Sequence, residues 1–515
     1  MNDNPLLELI PREGLFTQKG FKLGYRADYL PMFRLLREPT HLEEFDWVTN
    51  RDIVIWRDNE TVICVCDKPS LQFEEARYVS FLIDRVSQRR LNCAIYGTSD
   101  VTIAETVTWF WSLPHSDSVK NLITGSHLSH DERRNFSFAA LSTAQLAHIL
   151  DSNPTRSVSF TASWLTTQQL VILATRPHPL NLRLTSERRA RGIKDDGTAF
   201  VDELGKRQSS FGSLDINCLK DALLMSQSNL ERLLKLDYII DELRLGLLSD
   251  EMALLPFAAK VNTLVYSIKA KDLSPEDFES LDMVMKELKL QISAEGTTWH
   301  FLLASILNRI TGLSHFERLS FLFDKDIFWH LSRVSNADQV VVPAIINAVN
   351  GNSNLSYLNM GNIPSLFDTD ACMEAVFEAM EEHPGLRTVV LHTYPPGYYS
   401  NAEDNSEDPR EWDYSSLERL LSRNRRITVC DYHGRKFSNG SSIDKLYALN
   451  SFFNGSAKVL EETQVLRLVF VATALTESAS QNVQYTSLLL SNHTDMLCEF
   501  LQTSMSMTRF SLQDE

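Results

Sequence analysis

Cysteine and histidine residues at short spacing are the groups in this sequence that could support metal binding or catalysis. Cys64 and Cys66 flank a single valine, which places both thiols on one face of a predicted strand. A zinc site needs further ligands, and no CxxC or HxxxH pair lies elsewhere in the chain to complete this one. Two core thiols are the simpler interpretation, and the sequence predicts no metal at this pair.

Two further groupings raise the same question. Cys430 and His433 could form a nucleophile–base pair, but a thiol in a predicted strand is more typical of a core. His127 and His130 could contact one ion, yet no third soft ligand lies nearby. No GxGxxG, GxxxxGK[ST], HExxH or GxSxG motif is present. We therefore expect a protein that is not an enzyme, with no catalytic residue, no metal and no cofactor.

Two basic clusters could contact anions. Residues 187–194 contain three arginines and a lysine, and residues 423–426 contain Arg423, Arg425 and Arg426. Such runs could serve as anion contacts or as a weak nuclear-import patch. A solvated surface beside carboxylates is their more usual role.

The balance of charge limits the class of partner. The 515 residues contain 50 Lys and Arg against 67 Asp and Glu, a formal net charge of −17. A field of this sign repels phosphate backbones and anionic lipid. We therefore expect neither nucleic acid nor a membrane as a partner.

Cysteine usage and apolar segments indicate the compartment. Seven cysteines, an odd number spread thinly, fit free thiols in a reducing compartment better than a disulfide framework. The first apolar run is too short for a signal peptide, and no stretch approaches the roughly 18 apolar residues of a membrane span. These features predict a soluble cytoplasmic protein, with a nuclear location as the alternative.

The elements that must position these groups begin with a recurring helix start. A leucine precedes Ser142, Thr166, Ser249 and Ser274, and in three of these four cases a Gln or Asp follows three residues later. This is the capping-box pattern, which satisfies amide groups that the first turn leaves unbonded. Apolar residues at helical spacing follow each start, as they do from Phe278 onward.

Between these helices lie short segments of alternating polarity, which predict strands with one buried face. Ten of them recur at intervals of about 30 residues, and segments that start at Thr61, Leu91 and Val119 could be more divergent copies. The ten predicted strands are Ser157–Ser163, Leu180–Ser186, Gly212–Asn217, Asp241–Leu247, Asn262–Ile268, Glu287–Ser293, Glu317–Phe323, Leu355–Gly361, Arg387–Thr393 and Ile427–His433.

A strand and a helix every 20–29 residues or so, with Leu-x-Leu in the strand, is the leucine-rich-repeat signature. Over roughly Thr61–His433 the chain resembles leucine-rich-repeat proteins of the ribonuclease-inhibitor-like subclass, whose repeats carry a full helix. The asparagine that normally follows the strand is mostly missing, with Asn217 and Asn362 as remnants. The resemblance implies an α/β solenoid, a horseshoe with a parallel concave sheet and convex helices.

The two ends of the chain depart from this pattern. Residues 1–60 are predicted to cover the first repeat, residues 61–440 to form a degenerate repeat array, and residues 441–515 to form a helical C-terminal cap. Within the array, residues 395–413 are acidic and predict a protruding loop. This loop is either a solvated insertion or a contact or regulatory segment.

Strand geometry identifies one surface for binding. If the leucines of the predicted strands point into the core, the residues between them share the concave side. Those residues are polar and mixed in sign, which suits a protein or peptide partner better than a polyanion. The candidate partner-binding residues are Ser159, Thr161, Arg183, Thr185, Asp215, Asn217, Arg244, Lys289, Gln291, Ser320, Asp324, Asn359 and His392.

The predicted function is non-catalytic, a protein-interaction scaffold or recognition module that binds a protein partner on its concave sheet. One alternative is the substrate-recognition adaptor of a ubiquitin ligase, which would need an F-box-like helical motif. Residues 30–39 are too short and too poorly matched to supply one. Another alternative is an enzyme regulator or inhibitor, or an enzyme without a recognisable motif. The oligomeric state and the identity of the partner stay open.

Overall fold

The computed structural model describes residues 6–11, 30–45, 53–66, 76–85, 91–115, 119–124, 135–185, 192–217, 224–293, 299–323, 337–361, 363, 370–392, 394, 413–459, 463–477 and 483–511. These belong to two compact units. The N-terminal unit comprises residues 1–268 and 282–285, and the C-terminal unit comprises residues 269–281 and 286–515. The predicted ends of the repeat array at residues 60 and 440 stay predictions. Residues 395–412 of the predicted acidic loop lie outside the described residues.

Strands β1 to β12 start in the N-terminal unit, and β13 to β17 belong to the C-terminal unit. The first twelve are β1 Leu7–Leu9, β2 Met32–Leu35, β3 Ile53–Arg57, β4 Thr61–Cys66, β5 Arg77–Arg85, β6 Leu91–Gly97, β7 Val119–Thr124, β8 Ser157–Thr161, β9 Leu180–Thr185, β10 Gly212–Asn217, β11 Ile240–Leu245 and β12 Thr263–Lys269. The others are β13 Glu287–Ser293, β14 Arg318–Phe323, β15 Tyr357–Asn359, β16 Thr388–Val390 and β17 Thr428–Cys430.

From β6 to β17, α-helices alternate with the strands, except between β11 and β13, where the connecting helices are 3-10 helices. The α-helices are α1 Asp100–Ser112, α2 Thr143–Ser152, α3 Thr167–Ala174, α4 Thr198–Leu204, α5 Gln227–Leu234, α6 Trp299–Leu313, α7 Ala337–Gly351, α8 Asp370–Met380, α9 Ser415–Arg423, α10 Ser442–Val459, α11 Gln464–Glu477 and α12 Val483–Ser511. Short 3-10 helices occupy Leu42–Phe45, Phe138–Ala140, Ala162–Trp164, Lys194–Gly197, Asp250–Met252, Leu255–Ala258, Ala270–Asp272 and Pro275–Phe278. None of the helices found in the described residues has the length and apolar character needed to cross a membrane.

Strands β7 to β12 run parallel, each beside the next in the chain. Their register aligns Leu182, Leu214 and Leu243, which are all buried. Helices α1 to α5 pack in the same order, each against the following one or against a short helix beside it. The predicted strand–helix alternation is confirmed here. Each strand–helix segment buries its leucines against the neighbouring segments.

The pairs among β3 to β7 differ from these, although β2 and β3 are parallel. β3 with β4, β4 with β6, β6 with β5 and β5 with β7 are all antiparallel. The segments that start at Thr61 and Leu91 are therefore strands, but they lack the parallel pairing that divergent repeat copies would have. The reason is the connection: three residues join β3 to β4, whereas a parallel pair needs a crossover of about a dozen or more. The segment that starts at Val119 does pair parallel with β8.

In the C-terminal unit, β13 to β17 are also parallel and follow chain order. Helices α6 to α10 contact one another in sequence. Strands β15, β16 and β17 contain only three residues each. All ten strands predicted from alternation are present, with ends that differ from the prediction by a few residues.

The predicted helix starts are partly confirmed. Ser142 and Thr166 form complete capping boxes at α2 and α3. Ser274 also forms a capping box, but the helix that follows is the single 3-10 turn Pro275–Phe278, so the longer helix predicted from Phe278 onward is wrong. Strand β13 begins too soon afterwards to leave room for it. Ser249 precedes another 3-10 helix and makes no side-chain cap bond.

Polar side chains link the end of one helix to the strand–helix segment that follows. The last carbonyl groups of a helix have no partner within it, so side chains from the next segment can bind them. Both Asn352 and Asn424 serve this role and are buried. The bonds are Asn153 Nδ2 to Leu113 O (3.2 Å), Arg207 Nη1 to Ala174 O (2.8 Å), Asn352 Nδ2 to Ile310 O (3.4 Å) and Asn424 Nδ2 to Met380 O (2.9 Å).

Helix α10 covers the last strand of the C-terminal unit. The Tyr447 hydroxyl donates to Val429 O at 2.9 Å and accepts from Val429 N at 3.3 Å, and burial raises the pKa of Tyr447. Asn450 Nδ2 donates to Leu421 O at 2.9 Å. These contacts are of the kind that a C-terminal cap makes, while the cap role of residues 441–515 stays a prediction.

Candidate partner-binding face

Three charged residues form a row across neighbouring strands of the N-terminal unit. The parallel register aligns Arg183 of β9 with Asp215 of β10 and Arg244 of β11. Parallel strands lie about 4.8 Å apart, so side chains at aligned positions are within reach of one another. All three alternate with buried leucines or isoleucines along their strands, which places them on the polar face. We call this set the Arg–Asp–Arg row.

Ion pairs hold the row together. Arg183 Nε donates to Asp215 Oδ2 at 2.6 Å, and Arg244 Nε lies 3.7 Å from the same oxygen. Arg244 Nη2 also donates to Glu242 Oε1 at 2.9 Å. The Asp215 side chain is only 16% exposed, against 42% for Arg183 and 45% for Arg244. The carboxylate therefore lies beneath two guanidinium groups that remain open to solvent.

The row borders a shallow depression of about 250 Å³, which Asn181 and Ser213 also line. Burial raises the pKa of Asp215, and Arg183 and Arg244 oppose that effect by stabilising its charged form. Ser213 Oγ donates to Asn181 Oδ1 at 2.9 Å, which fixes the neutral side of the depression. The result is a partly dehydrated polar surface whose groups are held in place before any ligand arrives.

A second charged cluster lies on the strands of the C-terminal unit. The Glu287 carboxylate is 3.4 Å from Arg318 Nε and 3.9 Å from Lys289 Nζ. The Arg318 guanidinium lies 4.1 Å from the ring centre of Tyr357 on the next strand. Burial raises the pKa of Tyr357, whereas the Arg318 charge lowers it. The acid of this cluster is more exposed than that of the row, because the Glu287 side chain is 28% exposed against 16% for Asp215.

Not all of the predicted partner-binding residues are accessible. Ser159, Thr161 and Ser320 are buried, so these short hydroxyl side chains offer little surface to a partner. Asp324 lies outside the described residues. The remaining nine, half-buried or exposed, are Arg183, Thr185, Asp215, Asn217, Arg244, Lys289, Gln291, Asn359 and His392.

The structure brings some of these residues together and leaves others apart. Arg183, Asp215 and Arg244 form the row, and the register aligns Lys289 with Ser320 and Asn359. Thr185 and Asn217 are aligned with each other two residues after Arg183 and Asp215. Asn359 Oδ1 accepts from Gly361 N at 2.9 Å, and His392 stacks on Tyr432 with ring centres 6.3 Å apart. A role in binding stays a prediction for all of them.

The sequence reasoning missed six residues of the polar face. Each of them lies two positions before a residue that was selected, on the same side of its strand. The period of two that identified the candidates could have found these as well. The missed residues are Asn181, Ser213, Glu242, Glu287, Arg318 and Tyr357.

Two of the thiols considered for catalysis or metal binding, Cys430 and Cys64, lie buried in the described part of the chain. Cys430 is buried, its Sγ contacts Val389 O at 3.8 Å, and burial together with the Asp431 charge raises the pKa of its thiol, which disfavours a thiolate. Cys64 is buried in the core, and His127 and His130 lie outside the described residues. Within the part of the chain that the structure describes, no three His, Cys, Asp or Glu side chains converge as metal ligands would.

Comparisons with known proteins assign no family, because no protein-family model, no curated protein and no solved structure matches the chain. The geometry of the strands and their side chains is therefore the basis for the function proposed next.

Proposed function

We propose that this chain is a non-catalytic recognition module of the leucine-rich-repeat type, which binds a protein or peptide partner on the polar face of its parallel strands. The Arg–Asp–Arg row carries this proposal. A guanidinium has five N–H groups, and Arg183 and Arg244 each donate only one hydrogen bond within the described residues. Asp215 fixes their position, so the other N–H groups are free to bind a partner.

The size of the depression supports a macromolecular partner. Pockets for whole small molecules usually enclose about 300–1,000 Å³, and this depression measures about 250 Å³. It fits one polar side chain of a partner, with carboxylate or amide oxygens that accept from Arg183 and Arg244. The surrounding strands would then provide the wider contact surface, as they do in other repeat arrays.

The leucine-rich-repeat assignment and the horseshoe shape belong to this proposal. They are supported by the Leu-x-Leu strands, the step of about 30 residues and the two runs of parallel strands. Because a parallel strand–helix array repeats its polar positions at each strand, side chains in one row accumulate on one face.

A site-specific photo-crosslinker tests where the partner binds. The crosslinking residue would replace Asn181 on β9 in one variant and Gln227 on α5 in the other. Both positions are exposed and belong to the N-terminal unit. We expect a partner from native lysate to crosslink through position 181 and not through position 227.

A pair of substitutions in the same experiment identifies the residues responsible. Arg183→Gln with Arg244→Gln should abolish the crosslink at position 181, whereas Arg232→Gln on α5, similarly exposed, should leave it unchanged. Circular dichroism would confirm that each variant is folded. A crosslink only through position 227, or one that survives the double substitution, would contradict recognition by the row.

A further inference from the structure

A separate group of arginines lies in the C-terminal unit where α8 and α9 end. It borders an open depression of about 570 Å³, lined among others by Arg425, Arg426 and the Phe453 ring. Glu381 and Glu382 line it as well. What this depression can bind therefore depends on which of these charges are already neutralised.

One carboxylate is fully compensated by its neighbours. Glu381 accepts from Arg419 Nε at 2.6 Å and lies 3.2 Å from Arg423 Nε. Arg419 also donates to Glu374 at 2.9 Å. These two glutamates and two arginines cancel in charge, so they contribute no net field to the depression.

Three other arginines have no such compensation. No carboxylate lies within ion-pair distance of Arg387, Arg425 or Arg426 in the described residues, and Glu382 is the remaining acid at the depression. Burial and the nearby Arg426 charge both lower the pKa of Arg387, so two like charges stand side by side. A local surplus of two positive charges thus exists in a chain whose net charge is −17.

His383 does not add to this charge. Its Nδ1 accepts from Gly385 N at 3.2 Å and from Leu386 N at 3.0 Å, so the ring proton is on Nε2, which donates to Asn352 O at 3.0 Å. Burial lowers the pKa of His383, and the Arg387 charge lowers it further. The ring is therefore neutral near pH 7.

Hydrogen bonds to the backbone that carries Arg425 and Arg426 hold these two arginines in place. Asn424 Oδ1 accepts from Arg426 N at 3.2 Å, and the same side chain donates to Met380 O and His383 O. Asn454 Nδ2 donates to Arg425 O at 3.1 Å. The Arg425 guanidinium lies 5.2 Å from the centre of the Phe453 ring. The group is fixed in place without a carboxylate.

A structural role at the end of a helix does not account for all of these charges. A cation in the last turn of a helix stabilises its C-terminal end, and Arg423 occupies that position in α9. Arg425 and Arg426 lie beyond the last turn, where this effect has fallen off. In the described residues the Phe453 ring lies beside the Arg425 guanidinium and no carboxylate pairs with either group, so both charges stay available to a ligand.

We propose that Arg425 and Arg426, which line this depression, bind a phosphate monoester there, with the charge of the neighbouring Arg387 adding to the attraction. A phosphate monoester carries a charge of about −1.5 to −2 at pH 7, which matches the surplus of two positive charges. The planar guanidinium fork also suits two phosphate oxygens at once. The phosphate belongs either to a phosphorylated side chain of a partner or to a free phosphate compound, and the chemistry at the site is the same.

Calorimetric titration of the full chain at low salt tests this site. The probes are inorganic phosphate, a phosphoserine pentapeptide and the same peptide without the phosphate. Arg425→Gln with Arg426→Gln removes two exposed charges. Lys445→Gln with Lys458→Gln on α10 is the control, because it makes the same change in net charge at two exposed positions.

We expect the phosphopeptide to bind the wild type and the control, and to bind the arginine variant at least about tenfold more weakly. The unphosphorylated peptide should not bind. A phosphopeptide that binds more tightly than inorganic phosphate indicates a protein partner, and equal affinities indicate a free phosphate compound. No binding of either phosphate probe at about 10 mM, or equal binding by a folded arginine variant, would overturn the site. Arg183→Gln with Arg244→Gln should not alter it, which separates this proposal from recognition by the Arg–Asp–Arg row.

Discussion

The two arginine clusters of this protein are built in opposite ways. In the Arg–Asp–Arg row, Asp215 lies between Arg183 and Arg244 and compensates their charge. At the end of α9, Arg425 and Arg426 have no carboxylate partner in the described residues, and neutral groups such as Asn424 hold their backbone. A carboxylate support cancels the charge of the arginines and leaves their remaining N–H groups to a polar partner, whereas an amide support leaves the full charge available to an anionic ligand.

Because the buried Asn424 side chain supports the arginines at the end of α9, we expect its substitution to cause the largest loss of stability. Asn424→Ala should lower the free energy of unfolding of this region by about 2–4 kcal/mol, because it removes the side-chain donor of the buried His383 carbonyl, one of two donors to Met380 O, and the acceptor of Arg426 N. Amide hydrogen exchange over residues 415–430 measures this loss locally. Asn454→Ala, which removes one exposed bond to the Arg425 carbonyl, is the control and should cost far less. Equal losses for the two variants would mean that burial is not what makes the amide support strong.

A smaller effect should appear when pH is varied at the amide-supported cluster. The pKa of His383 is lowered from its ordinary value of 6.5 by burial and by Arg387. Between the two pKa values the unfolded chain binds more protons than the folded one, so stability falls as pH drops below about 6.5. The slope from this group is at most about 1.4 kcal/mol per pH unit.

Exchange measurements between pH 5 and 7, values chosen around the ordinary histidine pKa of about 6.5, would detect this slope. His383→Gln should remove the His383 contribution, whereas His433→Gln, at an exposed position, should leave it intact. A slope that persists unchanged in the His383 variant would assign it to another group.

The smallest effect is expected in the carboxylate-supported row. Arg183→Gln removes an ion pair whose arginine is 42% exposed, and solvent screens such pairs, so the loss should be about 0.5 kcal/mol. Thermal unfolding at low and high salt would measure it, and added salt should reduce the difference from the wild type. A loss above about 2 kcal/mol would show that the row is structural as well as a surface for binding.

Alternating polarity was enough to place the repeating strands, because one buried face imposes a period of two on each of them. The same signal could not give their direction at the N-terminal end. β4 is apolar at nearly every position, and only the three residues between Arg57 and Thr61 reveal that it must turn back on β3. Connection length, not composition, separates the two kinds of pairing.

The polar face was predicted in part for a related reason. The alternation of side chains along each strand identified Arg183, Asp215 and Arg244. Whether a side chain on that face is exposed depends on its neighbours across the sheet, as the burial of Ser159 shows. The asparagines at helix ends escaped notice because an asparagine after a helix is also a common local cap. Only the tertiary structure shows that Asn424 binds carbonyl groups at the end of α8, the preceding helix.

The Tyr447 hydroxyl has a consequence for how such an array could change in length. It occupies both the N–H and the carbonyl of Val429, the central residue of β17. A duplicated strand–helix segment inserted after β17 would find these two groups already bonded and would have to displace α10 to pair. Duplication can therefore lengthen this array by insertion between existing strands, whereas growth at this end requires a new closing helix to evolve with it.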